Sequence, residues 1–542
     1  MRKSNWNIKV NGRGIPVNEI YKKLLKSRGI DDVVDFVEPS DYHIVSGAEF
    51  KNIEKAISVF DTHFHCNSKF LIYADVDTDG CCSAAILTRY LRDDLNCRVT
   101  TFINNEKEHG VKDYFFDRKD QDEDIVIVVD SINEDVEMYE RILQSGKDLI
   151  ILDHHVPSEA VLKNQSRYNL VSSANEYVNP NLSGSGVCWK FIRYYDHCIG
   201  RNYSDKYADL AATGIIADVC SVGKDSMENR AICKIGFRNV TNPAIKQLVG
   251  KDIMNSKDIG FGVGPLINAA NRGGANELVL QMLLSDNVTE VKSIIKDLTK
   301  IKEQQKKKTA ELFEDMKNEA ELQLNYHCMF FFPTDCGNLA GLLATKASDM
   351  WKRPAFVLHT SDDGYYRGSM RCNWNVDLRG IINNSGFGTC AGHETSAGVE
   401  IKQEDLQSLV DYLESIFDGI DVTVQRDVDL QIDRAQITPL LLRELEKLNF
   451  ISGAGFPSIS VFIDNINNYT VKKMSQGKHL CVETSDLKFL WWNFNSWNDV
   501  IEDGSMSAVG TLEESFFAGR KSTQVMLEDY NFTATPQQVS LW

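Results

Sequence analysis

Three short, wholly apolar runs in the first third of the chain each stop at an acidic residue. FLIY at 70–73 leads through Ala74 into Asp75, IVIVV at 125–129 into Asp130, and LIIL at 149–152 into Asp153. Uninterrupted apolar runs of this length fit strands buried on both faces, the condition of a parallel sheet. Helical patterns at Ser83–Leu95 and Asp135–Leu143 separate them, so the region reads as an α/β domain. The acids then gather at the carboxyl ends of neighbouring strands, the edge along which open α/β sheets bind ligands.

Four segments carry the chemistry: ADVDTDG at 74–80, VVDS at 128–131, LDHH at 152–155 and ADV at 217–219. In extended chain, residues two apart face one side, so Asp75, Asp77 and Asp79 aim beyond one strand end. Carboxylates crowded in this way repel one another and lose hydration unless cations compensate. Mixed carboxylate and imidazole donors suit Mn²⁺ or Mg²⁺, whereas structural zinc recruits thiolates more often, and the 13 cysteines contain no C-x-x-C pair. A D-x-D-x-D-G run also opens an EF-hand loop, but the glutamate required at its twelfth position is missing and a strand precedes it. His63 and His65 have no carboxylate cluster of their own and read as structural.

At 542 residues the chain is long enough for about three to five folding units. Residues 1–50 form an N-terminal segment expected to pack on the core, and 51–290 the main α/β domain. A Lys-, Glu- and Gln-rich stretch at 291–323 predicts a long connecting helix with a solvated basic face. Residues 324–418 form a smaller α/β domain and 419–530 an antiparallel barrel of the OB type, marked by turn chemistry at Ser452–Gly455 and the aromatic strand LKFLWWNF. Alternation puts Phe489 and Trp491 on one face of that strand and Trp492 and Phe494 on the other. Residues 531–542 read as a flexible tail. No run of ~20 apolar residues and no signal peptide appear, and an odd number of scattered cysteines fits a reducing compartment, so a soluble cytoplasmic protein without membrane contact is expected. Lys and Arg number 59 against 77 Asp and Glu, a net charge of −18 that taken alone points away from nucleic acid.

The ordered set ADVDTDG, VVDS, LDHH and GIIADV resembles the four motifs of the DHH phosphoesterase superfamily. NPNLSGSGVCWKF at 179–191, GVGPLINAANR at 262–272, RPAFVL at 353–358, GSMRC at 368–372 and CAGHETSAG at 390–398 are similar to RecJ-type single-strand exonucleases, and the likeness extends over roughly residues 50–500. The resemblance implies a DHH domain, a DHHA1 domain and an OB-like barrel, with Asp77, Asp79, Asp130, His154 and Asp218 holding two divalent ions and Asp130 shared between them. It implies that Asp75 and Asp153 support the site, Asp153 by orienting the histidine pair, and that His155 meets the scissile phosphate. Arg272, Arg371, Gly392 and His393 match the family's phosphate-binding positions. Departures occur at Tyr73, where many relatives have a histidine ligand, and at Leu266, Asn271, Ala391 and Phe456.

The activity so implied is metal-dependent 5′→3′ hydrolysis of single-stranded DNA to mononucleotides in recombination, repair or replication, by a monomer encoded on a bacterial chromosome or a virus. A phosphodiesterase for oligoribonucleotides or cyclic dinucleotides is the alternative within the superfamily, and a replication scaffold that has kept only the fold is the alternative outside enzymes. Two carboxylate-held ions offset much of the negative charge, so a locally basic cleft near Arg272, Arg371 and Lys478 is expected despite the net −18. Its salt dependence should be shallow. The last five residues, Gln538 to Trp542, resemble the peptides that bacterial sliding-clamp partners insert into a pocket through Gln538, Leu541 and Trp542, a disordered end being the alternative; single-strand-binding protein is a second candidate partner.

Overall fold

The computed structural model describes residues 6–104, 110–374, 376–419, 426–494, 496–517 and 520–534. The chain divides into two units, one made of Met1–Leu298 with Asp427–Trp542 and the other of Thr299–Arg426.

In the first unit, strands β1 (Lys69–Ala74), β2 (Arg98–Ile103), β3 (Ile125–Val129), β4 (Asp148–Asp153) and β5 (Leu170–Ser172) form an all-parallel sheet in the order β2-β1-β3-β4-β5. Every residue of β3 is fully buried, as its unbroken apolar sequence requires. Helix α1 (Thr78–Arg89) leaves the end of β1 and packs against α2 (Gly184–Ile199) and α3 (Ala208–Ala217). Small residues along α1, among them Gly80, Ser83, Ala84 and Ala85, permit that close three-helix contact. Helix α4 (Gly264–Arg272) is tied to the loop after β1, because Asn271 Nδ2 donates to the Val76 carbonyl and Thr78 Oγ1 donates to Asn268 Oδ1 at 3.0 Å.

Register decides where the acids stand. Ala74 pairs with Val129 and Val129 with Leu152, so the next residues, Asp75, Asp130 and Asp153, lie side by side at one edge. The alignment follows directly from three strands ending at the same level.

A single helix, α5, spans Val288–Glu321. The second unit continues with β6 (Met329–Phe331), α6 (Ala340–Trp351), β7 (Ala355–Thr360), β8 (Tyr365–Arg371), α7 (Leu378–Ser385), β9 (Thr389–His393) and β10 (Ser396–Lys402), its sheet ordered β9-β10-β8-β7-β6. Phe313, Met316 and Ala320 of α5 complete a core with Phe331, Leu343 and Val357.

The remaining sheet of the first unit is assembled from both ends of the chain. Its eight strands run Trp6–Asn11, Arg426–Gln431, Val461–Ile466, Gly504–Phe517, Arg520–Ala534, Lys488–Trp491, His479–Glu483 and Thr470–Met474. Residues 6–37 therefore pack on the barrel rather than on the main α/β core: Ile20, Leu24, Leu25 and Phe36 share a cluster with Leu430, Leu445 and Val461. The buried Arg230 fastens this assembly to the α/β domain. Its guanidinium donates to the carbonyls of Phe36, Val222 and Ile451 at 2.5–3.0 Å and lies 3.8 Å from the Phe36 ring centroid.

Two sequence expectations are corrected here. Strand pairing continues to Ala534, with Phe532 opposite Met506 and buried, so residues 531–534 belong to the barrel and not to a tail. The aromatic strand ends at Trp491, and Asn493 turns the chain with φ of 58°, which returns Phe494 to the core beside Trp491 and Trp497. Alternation fails because the strand stops, and Trp492, 51% exposed, is the outward ring of the set. The candidate clamp-binding residues Gln538, Leu541 and Trp542 lie outside the described residues. Among the described residues, no helix is long and apolar enough to cross a membrane, and all 13 cysteines are unpaired thiols.

Candidate metal centre

The shared strand edge brings Asp130, His154, His155 and Asp218 together. His154 Nε2 lies 3.2 Å from Asp130 Oδ1 and 3.6 Å from Asp218 Oδ2, and His155 Nδ1 lies 3.8 Å from Asp130 Oδ1. Asp130 sits just past β3 with φ of 52°, a left-handed conformation that aspartate tolerates better than most residues, and its backbone N–H still donates to Leu152 O. Its side chain is 1% exposed, and Oδ1 receives no hydrogen bond. A buried, unsatisfied carboxylate oxygen costs a fold about 1–3 kcal/mol or more, which is the expected mark of an atom meant for a ligand.

Asp153 does different work. Its Oδ1 accepts from the backbone N–H of His154 and of His155 and from His155 Nδ1 at 2.6–2.8 Å, and its Oδ2 accepts from Ile132 N at 2.8 Å. The Nδ1 bond fixes the imidazole of His155, and the backbone bonds hold the turn that carries both histidines. Burial alone disfavours the Asp153 anion, but the charge and hydrogen bond of His155 outweigh it and hold the carboxyl down to about 2. His155, against its own burial, is raised to about 9 by the same pair.

Helix ends position the remaining acids. Asp77 caps α1, accepting from Gly80 N at 2.9 Å. Asp79 accepts from Gly184 N at 2.7 Å and Ser185 N at 3.1 Å, so its anion lies against the positive end of α2. Burial nevertheless pushes Asp79 upward, eased by the charge of His154. Burial and then the charge of Asp79 push Asp218 up to about 6 and Asp130 far above the usual carboxylate range, and burial with the charge of Asp77 takes Asp75 up to about 7. Several buried carboxylates that resist ionisation, one with an unsatisfied oxygen, fit divalent cations through hard oxygen and imidazole donors.

The space around these groups is reserved by glycine. A Cβ at Gly214 would stand 2.0 Å from Asp79 Oδ1 and Ser185 Oγ, and one at Gly184 would stand 2.7 Å from Asp130 Oδ1. Gly214→Ala is therefore expected to destabilise the protein by about 1–3 kcal/mol in a chemical-denaturation curve and to weaken divalent binding with it. An unchanged midpoint would show that the helices shift freely.

Sequence reasoning missed Cys220, whose Sγ donates to Asp218 Oδ2 at 3.3 Å and stands with Asp218 and His154 in one group of donor atoms. The signal was present two residues after Asp218, but a thiol just past a carboxylate motif reads as filler. It returns to the site because α3 ends in a Schellman turn: Val219 N donates to Ile216 O, Cys220 N donates to Ile215 O, and Val219 adopts φ of 57°. A β-branched residue in that region is strained. Val219 is 70% exposed and buries little, so Val219→Gly is expected to raise stability by about 1 kcal/mol, read as a higher denaturation midpoint.

The phosphate-binding candidates fall in two places. Arg272 closes α4, and burial lowers its pKa; among the described residues it has no carboxylate within ion-pair distance. In the second unit, Arg371 of β8 is in register with Ser396 of β10, and Ser396 with His393 of β9, so the three lie in one row and face the same side of the sheet. Arg371 Nη1 also donates to Met370 O at 2.8 Å. Gly392 has φ of 129° and a Cβ there would crowd Ser396 O at 3.0 Å, so glycine is needed in the strand just before the exposed His393. Lys478 is exposed in the turn before His479–Glu483. Tyr73 is buried, with its hydroxyl donating to Gly110 O at 2.9 Å.

Comparison with known proteins finds matches for three stretches of the chain. Family models for the DHH family N-terminal domain, the DHHA1 domain and the RecJ OB domain match residues 69–215, 332–419 and 428–529. A Bacillus subtilis protein carrying the provisional name SPbeta prophage-derived single-strand DNA-specific exonuclease YorK is 24% identical, covering 95% of this chain and 96% of its own. The single-stranded-DNA-specific exonuclease RecJ of the same organism is 25% identical over 95% of this chain and 68% of its own. The crystal structure of Thermus thermophilus RecJ in complex with Mn²⁺ aligns with a TM-score of 0.77 at 20% identity, over 99% of this chain and 81% of that one. Three family models matched in order along the chain, with relatives aligned over 95% of it, support a RecJ-type protein of the DHH superfamily.

Proposed function

We propose that this protein is a single-strand-specific exodeoxyribonuclease that degrades DNA 5′→3′ to mononucleotides in the cytoplasm. The observation that carries the reading is the buried Asp130 oxygen, unsatisfied and 3.2 Å from His154 Nε2, where the five further carboxylates of Asp75, Asp77, Asp79, Asp153 and Asp218 crowd. Asp77, Asp79, Asp130, His154 and Asp218 would hold two divalent ions, Mn²⁺ or Mg²⁺. Bound there, such ions supply activation of water and neutralisation of charge on the phosphodiester oxygens.

The chain's own residues do the rest. Asp153 fixes the imidazole of His155 and the backbone that carries His154, so that His155 need not be ordered when substrate arrives. His155, raised to about 9, is cationic at neutral pH and stabilises negative charge growing on a phosphate. Arg272, partly buried and without a carboxylate partner among the described residues, offers a planar fork to a phosphate. In the second unit the row of Arg371, Ser396 and His393 offers a further phosphate grip across neighbouring strands. The barrel, with the outward ring of Trp492, favours a polymer over a dinucleotide, since a stacked base adds about 1–3 kcal/mol per contact.

The test is hydrolysis of long single-stranded DNA labelled at either end, with Mn²⁺, beside oligoribonucleotides and a cyclic dinucleotide. Early release of labelled mononucleotide from the 5′ end alone is expected. Hydrolysis of the cyclic dinucleotide with intact DNA would overturn the substrate, and early release from the 3′ end would overturn the polarity.

A further inference from the structure

We propose that Cys220 is a metal ligand: with His154 and Asp218 it makes a mixed sulfur, nitrogen and oxygen donor set that binds thiophilic divalent cations such as Zn²⁺, Cd²⁺ and Co²⁺. The inference rests on the metal centre proposed above and adds to it a donor that none of the four motifs contains. Cys220 Sγ lies 3.3 Å from Asp218 Oδ2, which lies 3.6 Å from His154 Nε2, and one donor atom from each residue falls within 4.8 Å of the others. A second, independent observation sits on the same imidazole: Asp130 Oδ1, buried and without a hydrogen bond, is 3.2 Å from His154 Nε2.

The backbone brings the thiol there. The Schellman turn at the end of α3, with Val219 held at φ of 57°, folds the chain so that Cys220 comes back over Asp218 instead of leading away. Tyr73, at the position where the resemblance places a histidine ligand, has its hydroxyl committed to Gly110 O. The centre thus lacks an imidazole at 73 and has a thiol at 220.

The consequence lies in metal choice. Hard oxygen donors suit Mg²⁺ and Mn²⁺, while a thiolate favours softer and borderline ions; on binding, the thiol proton passes to solvent and the sulfur takes the metal. A thiophilic ion would therefore occupy the centre more tightly than Mn²⁺ and suppress Mn²⁺-supported hydrolysis.

The experiment titrates the metal-free, full-length protein and its Cys220→Ser and Cys220→Ala variants with Co²⁺, and measures Cd²⁺ and Mn²⁺ affinities by competition. Wild type is expected to develop thiolate-to-cobalt charge-transfer absorption in the near ultraviolet that both variants lack. Cd²⁺ affinity should fall about 10–100-fold in the variants, at least the cost of losing an outer partner of a metal ligand. Mn²⁺ affinity should stay within about twofold, since that ion gains little from sulfur. Should the variants not fold, Cd²⁺ but not Mg²⁺ should slow alkylation of Cys220 in the wild type, read at the Cys220 peptide. Equal absorption and equal Cd²⁺ affinity in wild type and variants, or alkylation indifferent to Cd²⁺, would overturn the role of Cys220 alone. Failure of the underlying centre would look different: Asp130→Asn would then leave both Co²⁺ and Mn²⁺ binding unchanged.

Discussion

Replacing Asp130 by asparagine should lower hydrolysis of single-stranded DNA on the order of 10³-fold or more while making the metal-free protein more stable. The two effects share one cause. Asp130 is buried, its Oδ1 has no hydrogen bond, and burial with the charge of Asp79 drives its pKa well upward. An anion in that position is an expense to the fold, recovered only when a cation arrives. Asparagine keeps the shape, removes the charge and donates toward the neighbouring acids, so the metal-free melting temperature should rise. The same change removes the unsatisfied carboxylate oxygen that would face a cation, and a loss of about 4 kcal/mol from the barrier contribution corresponds to 10³ in rate. Initial rates with Mn²⁺ and thermal melts with a chelator check the pair. An active Asp130→Asn enzyme would remove Asp130 from the centre, and a less stable metal-free variant would show that the carboxylate supports the fold.

The second large effect is a fall in metal-free stability between about pH 5 and pH 8. Asp75 has an ordinary pKa of 3.8 and about 7 in the fold, so its favourable contribution is complete below 3.8 and is lost as pH rises through about 7. Asp218 behaves alike, losing its contribution as pH rises through about 6. His155, raised from 6.5 to about 9, starts to lose its contribution at the upper end of the window. Asp153 has the opposite sign: its contribution is present above 3.8 and is lost only as pH falls through about 2, so it is constant here. At about 1.4 kcal/mol per pKa unit, Asp75 alone amounts to about 4 kcal/mol between 3.8 and 7, of which about 3 kcal/mol falls inside the window. The melting temperature in chelator should drop by roughly 5–10 °C across the window. Mn²⁺ should restore it, and by more at the higher pH, where protons compete less for the same oxygens. A metal-free melting temperature that stays level or rises with pH would contradict the assignment.

The parallel sheet and its acidic edge are legible in the sequence because both depend on local signals: a strand buried on two faces must be apolar throughout, and its exit residue is free to be charged. Asp75, Asp130 and Asp153 could be aligned from that alone. What escaped depends on backbone conformation and on distant partners. Cys220 joins the site only because Val219 takes a left-handed conformation that its side chain disfavours, which no propensity predicts. Phe494 returns to the core because the strand stops at Trp491, so period-2 alternation has nothing to act on. Phe532 looked like part of a polar tail until its partner, Met506, gave it a ladder to join. The N-terminal strand Trp6–Asn11 could not be placed, because the strand it pairs with begins at Arg426.

That last pairing sets a timetable. A chain made at about 5–20 residues per second needs roughly 20–80 s after Asn11 leaves the ribosomal active site before Arg426 is polymerised. Through that interval the apolar face of Ile20, Leu24 and Leu25 has no barrel to cover it, and the carbonyl that Arg230 binds at Ile451 does not yet exist. The α/β domain can collapse early around its own sheet, but the first unit closes only when synthesis is nearly done. A messenger broken anywhere before the barrel therefore yields a protein with its carboxylate edge already written and its N-terminal segment unsheltered, a natural substrate for chaperones and proteases rather than a nuclease at large on single strands.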